Sequence, residues 1–505
     1  YGKSLNWFFD QWVHQTGLMD YSIAGVRVNT DGSRYETIVR VDQVGALAHP
    51  MPVGVQTDRG WTFARADPLQ LEQDVRVVTN QRPIAVELDP YKVTWDWDQR
   101  NNVQSGYFLT LREPRFAFNW PYLDQADRSH TLVALSPAAW YTNPQGGVLG
   151  LRGKASYLST VDKYDAGVAI ASRSPTHPNG DKLSFATRFQ GWARVENPYL
   201  PFFVRPLMGF GAGVNFLDGI LKADVYQNWD LTPLIDVSGP TITARAYVTG
   251  FAPSSQLLLP EQWTNAKGAE IGGSGMYRTF VDSDSSYAIV RASIGFGGAT
   301  ASTFPDSAPA GSYSRGALSA GVIQPIVGRF SQLRVRLFAG FANNAPRQRA
   351  IFASTQDPLE TFDNDLFRGR GAVLKQDGVN YLPLGGAGLR GFQIDMPLDR
   401  VYAANGELVQ QLISKRGSWG SARVSFIVFG DVGVASSKVL DVHNTLLNDA
   451  GAGISLRGRL FDRNFGFRID APWFVNRASF AGGRGLSNRQ GSIAARWTLT
   501  VGDLW

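Results

Sequence analysis

The chain has 505 residues, of which 18% are charged, 12% are aromatic and 54 are glycines, a mixture that suits many short strands joined by tight turns. The absence of cysteine excludes disulfides, thiolate metal sites and thiol nucleophiles, and the scattered basic residues behind the net charge of +6 argue against a nucleic-acid patch. No run of about 18 apolar residues occurs, so the sequence contains no candidate transmembrane helix.

Residues 4–17 predict a short helix, with Ser4 as its N-cap and Gly17 as its stop. Leu5, Phe8, Phe9, Trp12 and Val13 recur at helical spacing and form one apolar face. A helix this short is marginal alone, and its aromatic side chains need a partner surface that the rest of the sequence hardly provides.

The stretch from residue 18 to residue 102 predicts a small β-sandwich. Short segments of alternating apolar and polar residues are separated by turns that contain Asp-Gly or proline. The predicted strands are 23–28, 35–41, 52–56, 72–78 and 84–88. This density of short strands indicates two small packed sheets.

These two N-terminal parts resemble a known enzyme family. Residues 7–17 (WFFDQWVHQTG) are similar to the last helix of the catalytic domain of gluzincin aminopeptidases, the membrane alanyl aminopeptidase family. Residues 88–90 (LDP), followed by Asp96, Asn101 and Asn102, resemble the closing strand of the small β-sandwich of that family. The resemblance covers residues 1–102 and implies that residues 1–17 are the terminal helix of a peptidase-like catalytic domain.

The zinc site that this resemblance implies is missing from the chain. The family holds zinc with a His-Glu-x-x-His pair and a more distant glutamate. None of the five histidines stands in such a pair: His14, His49, His130, His177 and His443. His14 lies on an aromatic helix and is interpreted as structural rather than as a metal ligand. We therefore expect no catalytic site, metal or cofactor in this chain.

Zinc and a peptide substrate are expected only through a catalytic domain upstream of the chain. The sequence begins at Tyr1, without a methionine or a signal peptide, and an exported protein needs an export signal. We expect the sequence to be processed or incomplete, and the helix favours incomplete.

Residues 103–130 are predicted to be a linker. The aromatic run 116–122 (FAFNWPY) suits either a membrane interface or the mouth of a barrel, and the sequence leaves both open.

Residues 131–505 predict a transmembrane antiparallel β-barrel. Long segments alternate apolar residues with Arg, Gln, Ser or Thr, as in 185–195, 241–248, 287–294, 333–339 and 497–501. A water-soluble sandwich would also alternate, but the number of consecutive strands and the lack of helical segments favour the barrel. At roughly 23 residues for each strand and its connection, the length predicts about 16 strands in an all-β fold.

A glycine-rich segment at 384–392 is predicted to be a loop with a functional arginine. Its last five residues are Gly388, Leu389, Arg390, Gly391 and Phe392. Four glycines disfavour a strand interior, and a guanidinium inside a lumen needs a carboxylate. Asp431, within the segment 429–433 (FGDVG), is the best candidate. The alternative is an ordinary glycine-rich loop with an exposed arginine.

Together, these two segments resemble the paired signatures of the BamA/TpsB superfamily of outer-membrane barrels, which includes bacterial surface antigens. The resemblance covers residues 131–505 and implies 16 strands and a long extracellular loop folded into the lumen. It implies that Asp431 and Gly433 dock the Arg-Gly-aromatic tip and that Glu407 is a candidate acidic strand residue. Trp505 would be the assembly signal, with the barrel-assembly machinery as a partner during biogenesis.

Two functions follow as expectations. In the first, the barrel lies in the outer membrane of a Gram-negative bacterium, in contact with lipid, and anchors or translocates a fused aminopeptidase-like region. In the second, it is a channel or protein-translocation barrel with the sandwich as a docking module. A third, a surface-exposed structural component, has no positive sign in the sequence. The sandwich would be periplasmic or surface-exposed. The α/β periplasmic repeats of general assembly factors are not recognised in residues 18–102.

Overall fold

The computed structural model of the protein consists mostly of strands and confirms the predicted all-β class. It describes residues 5–14, 17–104, 114–118, 127, 129–142, 145–158, 161–174, 188–197, 207–232, 240–253, 263–283, 286–302, 310–327, 330–362, 379–383, 385–392, 396–417, 420–460, 463–477 and 497–501. Within these ranges, no helix combines the length and the apolar character needed to cross a membrane.

The chain divides into two compact units. The first comprises Tyr1–Ser136, Gly153–Asp165 and Val195–Gly209, and the second comprises Pro137–Arg152, Ala166–Arg194 and Phe210–Trp505.

The first unit begins with helix α1 (Asn6–His14) and a pair of small antiparallel sheets. The strands are β1 (Tyr21–Asp31), β2 (Arg34–Gln43), β3 (Pro52–Thr57), β4 (Gly60–Arg65), β5 (Glu72–Thr79), β6 (Ala85–Leu88) and β7 (Val103–Gln104). One sheet has the order β1-β2-β5 and the other has the order β4-β3-β6-β7. Tyr21 and Val39 from the first sheet share a buried core with Val53 and Leu88 from the second. Because both sheets contribute to one core, residues 18–104 form a β-sandwich.

Helix α1 lies within the predicted helix, and its apolar face is largely exposed. Trp12 packs against the sandwich core, and Gln11 Oε1 accepts a hydrogen bond from Ala48 N at 2.6 Å. Phe9 and Val13, however, are 53% and 65% exposed. The face expected to need a partner thus has little contact within the described residues.

Sixteen strands of the described chain, all but the last of them nine residues or longer, follow one another in barrel order in one large sheet. They are β9 (Leu132–Thr142), β10 (Gly146–Tyr157), β11 (Val161–Ala171), β12 (Phe189–Asn197), β13 (Leu207–Leu217), β14 (Ile220–Asp230), β15 (Thr241–Pro253), β16 (Gly268–Ser283), β17 (Ser286–Ala299), β18 (Gly311–Val327), β19 (Ser331–Asn343), β23 (Arg400–Gly417), β24 (Gly420–Ser437), β25 (Val442–Leu460), β26 (Arg463–Val475) and β27 (Trp497–Val501). This number agrees with the 16 strands expected from the length of the segment.

Neighbouring long strands pair antiparallel, as between β14 and β15 or between β24 and β25. Two short strands join the same sheet: β8 (Arg115–Phe118) pairs in parallel with β9, and β21 (Val379–Pro383) pairs in parallel with β27. Strand β8 lies within the predicted linker, where Phe116 and Phe118 are both exposed. Part of residues 103–130 is therefore strand.

Polar contacts in the first unit join the end of the sandwich to the hairpin β10–β11. Tyr157 Oη, at the end of β10, donates to Trp97 O at 2.7 Å and accepts from Gln99 N at 3.3 Å. Arg100 pairs with Asp98 at 2.8 Å and with Asp162 of β11 at 3.0 Å. These buried and half-buried contacts make the sandwich and this strand end one unit.

Candidate functional site: an ion-pair cluster around Arg390

The candidate site lies where the inserted segment, the described residues 344–362, 385–392 and 396–399 between β19 and β23, packs on one face of the sheet. Strand β21, from the same connection, belongs to the sheet itself. The segment contains β20 (Ile351–Phe352) and β22 (Pro397–Leu398), which pair with each other, and the four-residue helix α2 (Pro358–Thr361). Its apolar residues share a buried core with β19 and with β23 to β26: Phe338, Ala342, Ile351, Ala353, Ala387, Leu389, Phe392, Met396, Leu398, Val401, Ala403, Ala435, Leu447 and Val475.

Two glycines shape the turn that leads to Arg390. Gly386 and Gly388 have φ angles of +55° and +72°, a region that other residues rarely adopt. A Cβ at Gly386 would lie 2.2 Å from Phe352 O, and one at Gly388 would lie 2.9 Å from Asn405 Oδ1. The predicted loop is therefore a tight turn, and at these two positions only glycine fits.

Arg390 is buried, and its side chain binds carboxylates on two strands. Its Nε donates to Asp431 Oδ2 at 2.7 Å and its Nη2 to Asp431 Oδ1 at 2.5 Å, a bidentate pair with β24. Its Nη1 pairs with Glu407 Oε1 on β23. The guanidinium also lies 4.0 Å from the centre of the Phe429 ring, within cation–π distance. The Arg390–Asp431 contact expected from the sequence is present, and Glu407 completes it.

The ion pairs continue from Glu407 to β26 and β19. Glu407 Oε1 accepts from Arg468 Nη1 at 2.6 Å, and Arg468 Nε pairs with Asp470 Oδ2 at 2.6 Å. Arg334 Nη1 lies 3.7 Å from Glu407 Oε2. We call these six side chains, three guanidiniums and three carboxylates, the Arg390 cluster: Arg334, Arg390, Arg468, Glu407, Asp431 and Asp470. Without Arg390, the cluster would carry a net negative charge in a buried place.

Two further residues of the sheet, whose strands are here called the wall, bind the backbone of the turn. Asn405 Nδ2 donates to Gly388 O at 3.0 Å and to Asp431 Oδ1 at 3.1 Å. Arg336 Nη1 donates to Asn405 Oδ1 at 3.0 Å, and its Nη2 donates to Gly386 O at 2.8 Å. The wall therefore binds both the arginine and the peptide groups before it.

The other predicted motif residues provide close packing. Leu389 and Phe392 are buried in the apolar core, and a Cβ at Gly391 would lie 2.7 Å from Asp449 Cβ. At Gly433 a Cβ would lie 3.0 Å from Tyr402 O and 3.3 Å from Leu389 Cδ1, so this glycine leaves room for Leu389. Trp505, the predicted assembly signal, lies outside the described residues.

Sequence reasoning missed Arg334, Arg336, Asn405, Arg468 and Asp470. Their only signal was a polar residue at every second position of a strand, which predicts the inner face but not the partner. A partner on another strand depends on the register, and a shift of one residue reverses the two faces of a strand. Only the structure could bring these residues together.

The ion pairs of the site attach the inserted segment to the strands. Carboxylates and guanidiniums engage one another, and no nucleophile stands among them. In the described ranges, no group of three or more His, Cys, Asp or Glu side chains could hold a metal ion. A scan with models of protein families and a search of curated proteins both returned no match to this chain.

Proposed function

We propose that this chain is an outer-membrane β-barrel of the BamA/TpsB type, with the inserted segment docked in its lumen. The distribution of apolar and charged residues between the two faces of the strands is the main support for this proposal. On β19, Val335 and Leu337 are 43% and 59% exposed, whereas the alternate residues Arg334 and Arg336 are buried. Exposed aliphatic and buried charged residues are the reverse of a water-soluble protein and suit a strand between lipid and a polar lumen.

The same outward apolar face continues around the sheet. Exposed large apolar residues on β23 to β26 include Tyr402, Leu408, Phe426, Val428, Val432, Val434, Leu446, Ile454, Phe467, Ile469 and Trp473. A water-soluble monomer rarely exposes a contiguous apolar surface of this extent. A bilayer is the solvent that would cover it.

A pair of cysteine variants tests the membrane location, because the chain has no cysteine of its own. Val428 faces outward on β24, and Ser425 of the same strand is buried on the inner face. In liposomes, a fluorophore on Val428→Cys should be quenched by doxyl-labelled lipid, whereas one on Ser425→Cys should not. Equal quenching at both positions, or none at either, would contradict the proposal.

The lengths of the strand connections indicate which side of the membrane each end faces. Connections at one end of the sheet are mostly short, such as 284–285, 418–419 and 461–462. Those at the other end include long ones, such as 254–267 and 344–399. Outer-membrane barrels have short periplasmic turns and longer extracellular loops. We therefore assign the short connections to the periplasm.

The sandwich would then be periplasmic. The hairpin β10–β11 turns at the short-connection end, and in the first unit its Tyr157 and Asp162 contact Trp97, Gln99 and Arg100. The sandwich also precedes β9, which starts at that same end. Both observations support a periplasmic sandwich over a surface-exposed one.

Labelling of intact cells tests this orientation. Asp58 lies in an exposed turn of the sandwich, and Asp441 lies in the exposed turn between β24 and β25, at the other end of the sheet. A membrane-impermeant maleimide should modify Asp441→Cys on intact cells. It should modify Asp58→Cys only after the outer membrane is permeabilised. The opposite pattern would place the sandwich at the surface.

As its role, we propose that the barrel anchors an aminopeptidase-like region. The exposed aromatic face of α1 supports this proposal, because it suits a helix that packs inside a larger domain. The protein isolated from its native membrane should then have a mass well above 55.3 kDa, contain zinc and release N-terminal amino acids from peptides. A native mass near 55.3 kDa without zinc would contradict it.

A channel is the second candidate, and the size of the sheet favours it. Barrels of about 16 strands enclose a lumen wide enough for water, so the inserted segment would act as a plug. Conductance in planar bilayers distinguishes the two roles. A pure anchor stays closed, whereas a gated channel conducts in bursts and conducts more with Arg390→Ala.

A further inference from the structure

A second set of ion pairs holds the inserted segment on different strands from the Arg390 cluster. Arg349, 1% exposed, donates from Nε to Glu270 Oε2 on β16 at 2.7 Å, and its Nη2 pairs with Glu270 Oε1. Its Nη1 lies 2.9 Å from Asp357 Oδ2. Asp357 in turn pairs with Arg315 on β18, whose Nε lies 3.6 Å from Glu270 Oε1.

These four side chains form a closed ring of alternating charge, here called the Glu270 ring: Glu270, Arg349, Asp357 and Arg315. The wall contributes one buried anion and one buried cation, and the inserted segment also contributes one of each. Glu360 of the segment, whose side chain is 58% exposed, accepts a further hydrogen bond from Arg315 Nη2 at 2.9 Å. The buried charges of each half are therefore balanced, in contrast to the Arg390 cluster, whose wall half is negative. When the halves separate, each can keep its own ions close to one another.

Further contacts are specific to the ring and its surroundings. Tyr247 Oη donates to Glu270 Oε1 at 2.7 Å, and Tyr313 Oη donates to Glu270 Oε2 at 3.0 Å. Asp357 also caps α2 by accepting from Leu359 N at 2.8 Å. The carboxylates are thus held in place from the wall by two tyrosines and from the segment by a helix cap.

An apolar contact lies beside the ring. Leu359 and Phe362 of the segment pack with Trp263, which precedes β16, and the rings of Trp263 and Phe362 are 5.4 Å apart. Gln348 Oε1 accepts from Thr264 N at 3.0 Å, and its Nε2 donates to Ala266 O at 3.1 Å. The segment is therefore joined to residues 263–266 as well as to the wall.

The two fastenings lie on separate parts of the sheet. The Glu270 ring uses β16 and β18, which are the eighth and tenth long strands, and Arg390 binds β23 and β24, the twelfth and thirteenth. Between the fastenings, Leu389 N donates to Ala353 O at 2.8 Å and Ala387 N to Phe352 O at 3.0 Å. Residues 351–353 are thus tied to the Arg390 side, and residues 347–349 and 357–362 reach to the other wall.

We infer that the Glu270 ring is a second latch, which can release residues 347–349 and 357–362 while Arg390 and residues 351–353 stay docked. In the membrane barrel proposed above, on which this role rests, release of the latch would open part of the lumen without expelling the segment. The balanced buried charges of its halves make the ring the weaker of the two fastenings, since separating it leaves no net charge buried on either side.

Cysteine reactivity at two positions tests the latch. Ala350, beside Arg349, and Ala387, beside the Arg390 turn, are both buried, and a change from alanine to cysteine adds one sulfur atom. In detergent, the maleimide reaction of Ala350→Cys should be about tenfold faster or more when Arg349→Gln is added. The reaction of Ala387→Cys should change less than about twofold with Arg349→Gln. It should accelerate with Arg390→Gln.

A double substitution separates loss of the latch from general misfolding. Arg349→Gln alone leaves Glu270 with an unbalanced charge, whereas Glu270→Gln with Arg349→Gln leaves the Arg315–Asp357 pair intact. The double variant should therefore react more slowly at Cys-substituted Ala350 than the Arg349→Gln variant does. Arg416, exposed at the end of β23, gives the control Arg416→Gln.

The result that would overturn the latch is an unchanged reaction of Ala350→Cys with Arg349→Gln, or an equal acceleration at both reporters. Heat-modifiable electrophoretic mobility shows for each variant that the sheet is folded. Because these measurements need no bilayer, they can fail while the lipid-quenching experiment succeeds, and the reverse.

Discussion

At the residue scale, the contacts of Arg390 depend on the planar shape of its guanidinium as well as on its charge. The planar guanidinium reaches Asp431 with two nitrogens, Glu407 with a third and the Phe429 ring with its face. A lysine would keep the charge but lose the bidentate fork and the stacking. The buried carboxylates would then be only partly compensated.

We therefore expect Arg390→Lys to destabilise the folded protein by about 1–3 kcal/mol and Arg390→Ala by about 3–5 kcal/mol. The measurement is the temperature at which the band of the folded protein disappears on electrophoresis in detergent. Arg416→Lys, on the exposed end of β23, should leave that temperature unchanged. Equal effects of the Lys and Ala variants would show that the fork contributes nothing.

Two buried carboxyl groups make the sandwich sensitive to pH. Burial raises the pKa of Asp20 to about 7. Burial, followed by the negative charge of Asp20, raises the pKa of Asp96 to about 8. Asp96 Oδ2 accepts from Tyr21 N at 3.3 Å and from Asn102 Nδ2 at 3.2 Å. An amide at position 96 could keep both hydrogen bonds through its oxygen.

The direction of this pH dependence follows from the number of protons that the folded and unfolded states bind. Between the unfolded pKa, about 3.9, and the raised folded values, the folded sandwich binds more protons than the unfolded one. The contribution of these two groups to the free energy of unfolding is therefore fully present at low pH. It decreases as pH rises towards 8, by at most about 1.4 kcal/mol per pH unit for each group. Asp96→Asn should make this dependence shallower and should stabilise the sandwich at pH 8.

Hydrogen exchange of the amides of residues 19–23, corrected for the intrinsic effect of pH, measures this stability locally. Wild-type protection should fall from pH 6 to pH 8, and that of Asp96→Asn should fall less. Asp58→Asn, in an exposed turn, is the matched control. Identical pH profiles for wild type and Asp96→Asn would refute the assigned cause.

At the scale of the elements, alternation in the sequence predicted strands well where one face is buried. The segments 241–248 and 287–294 lie within β15 and β17, and 497–501 coincides with β27. Strand β4 was missed because it is the edge of its sheet and has no buried residue on either face. Without a buried face, the sequence has no reason to alternate.

The sequence likewise predicted only those site residues that a local pattern marks. Arg390 and Asp431 were predicted because short glycine-rich motifs carry them. The Glu270 ring was not, since Glu270 lies among glycines of β16 and Arg315 between Ser314 and Gly316. Their partners Arg349 and Asp357 belong to an irregular segment, and no spacing along the chain relates the two pairs.

A charge on the outer face of a strand tests the two-faced design of the sheet. Val432 faces outward on β24, between the inward residues Asp431 and Gly433. We expect Val432→Arg to reduce the stability of the barrel in liposomes by about 2–4 kcal/mol if it lies near the middle of the bilayer. Urea titration in liposomes measures the loss, with Ser421→Arg at the exposed end of β24 as the control. Equal stability of the two variants would argue against lipid around this strand.

At the scale of the whole molecule, a sheet of 16 strands would enclose water unless something fills it. The Arg390 cluster and the Glu270 ring both fasten the inserted segment to the sheet, so loss of one fastening leaves the other. The conductance of the barrel should therefore depend on the two arginines in combination.

We expect wild-type protein in planar bilayers to be mostly closed and Arg349→Gln to show brief partial openings. The variant with both Arg349→Gln and Arg390→Gln should stay open, with a conductance greater than the sum of the two single variants, because only then is the segment free to leave the lumen. Arg416→Gln should behave as wild type. A double variant that stays closed, although the cysteine reporters show both fastenings released, would mean that apolar packing around Leu389 and Phe392 alone keeps the lumen filled.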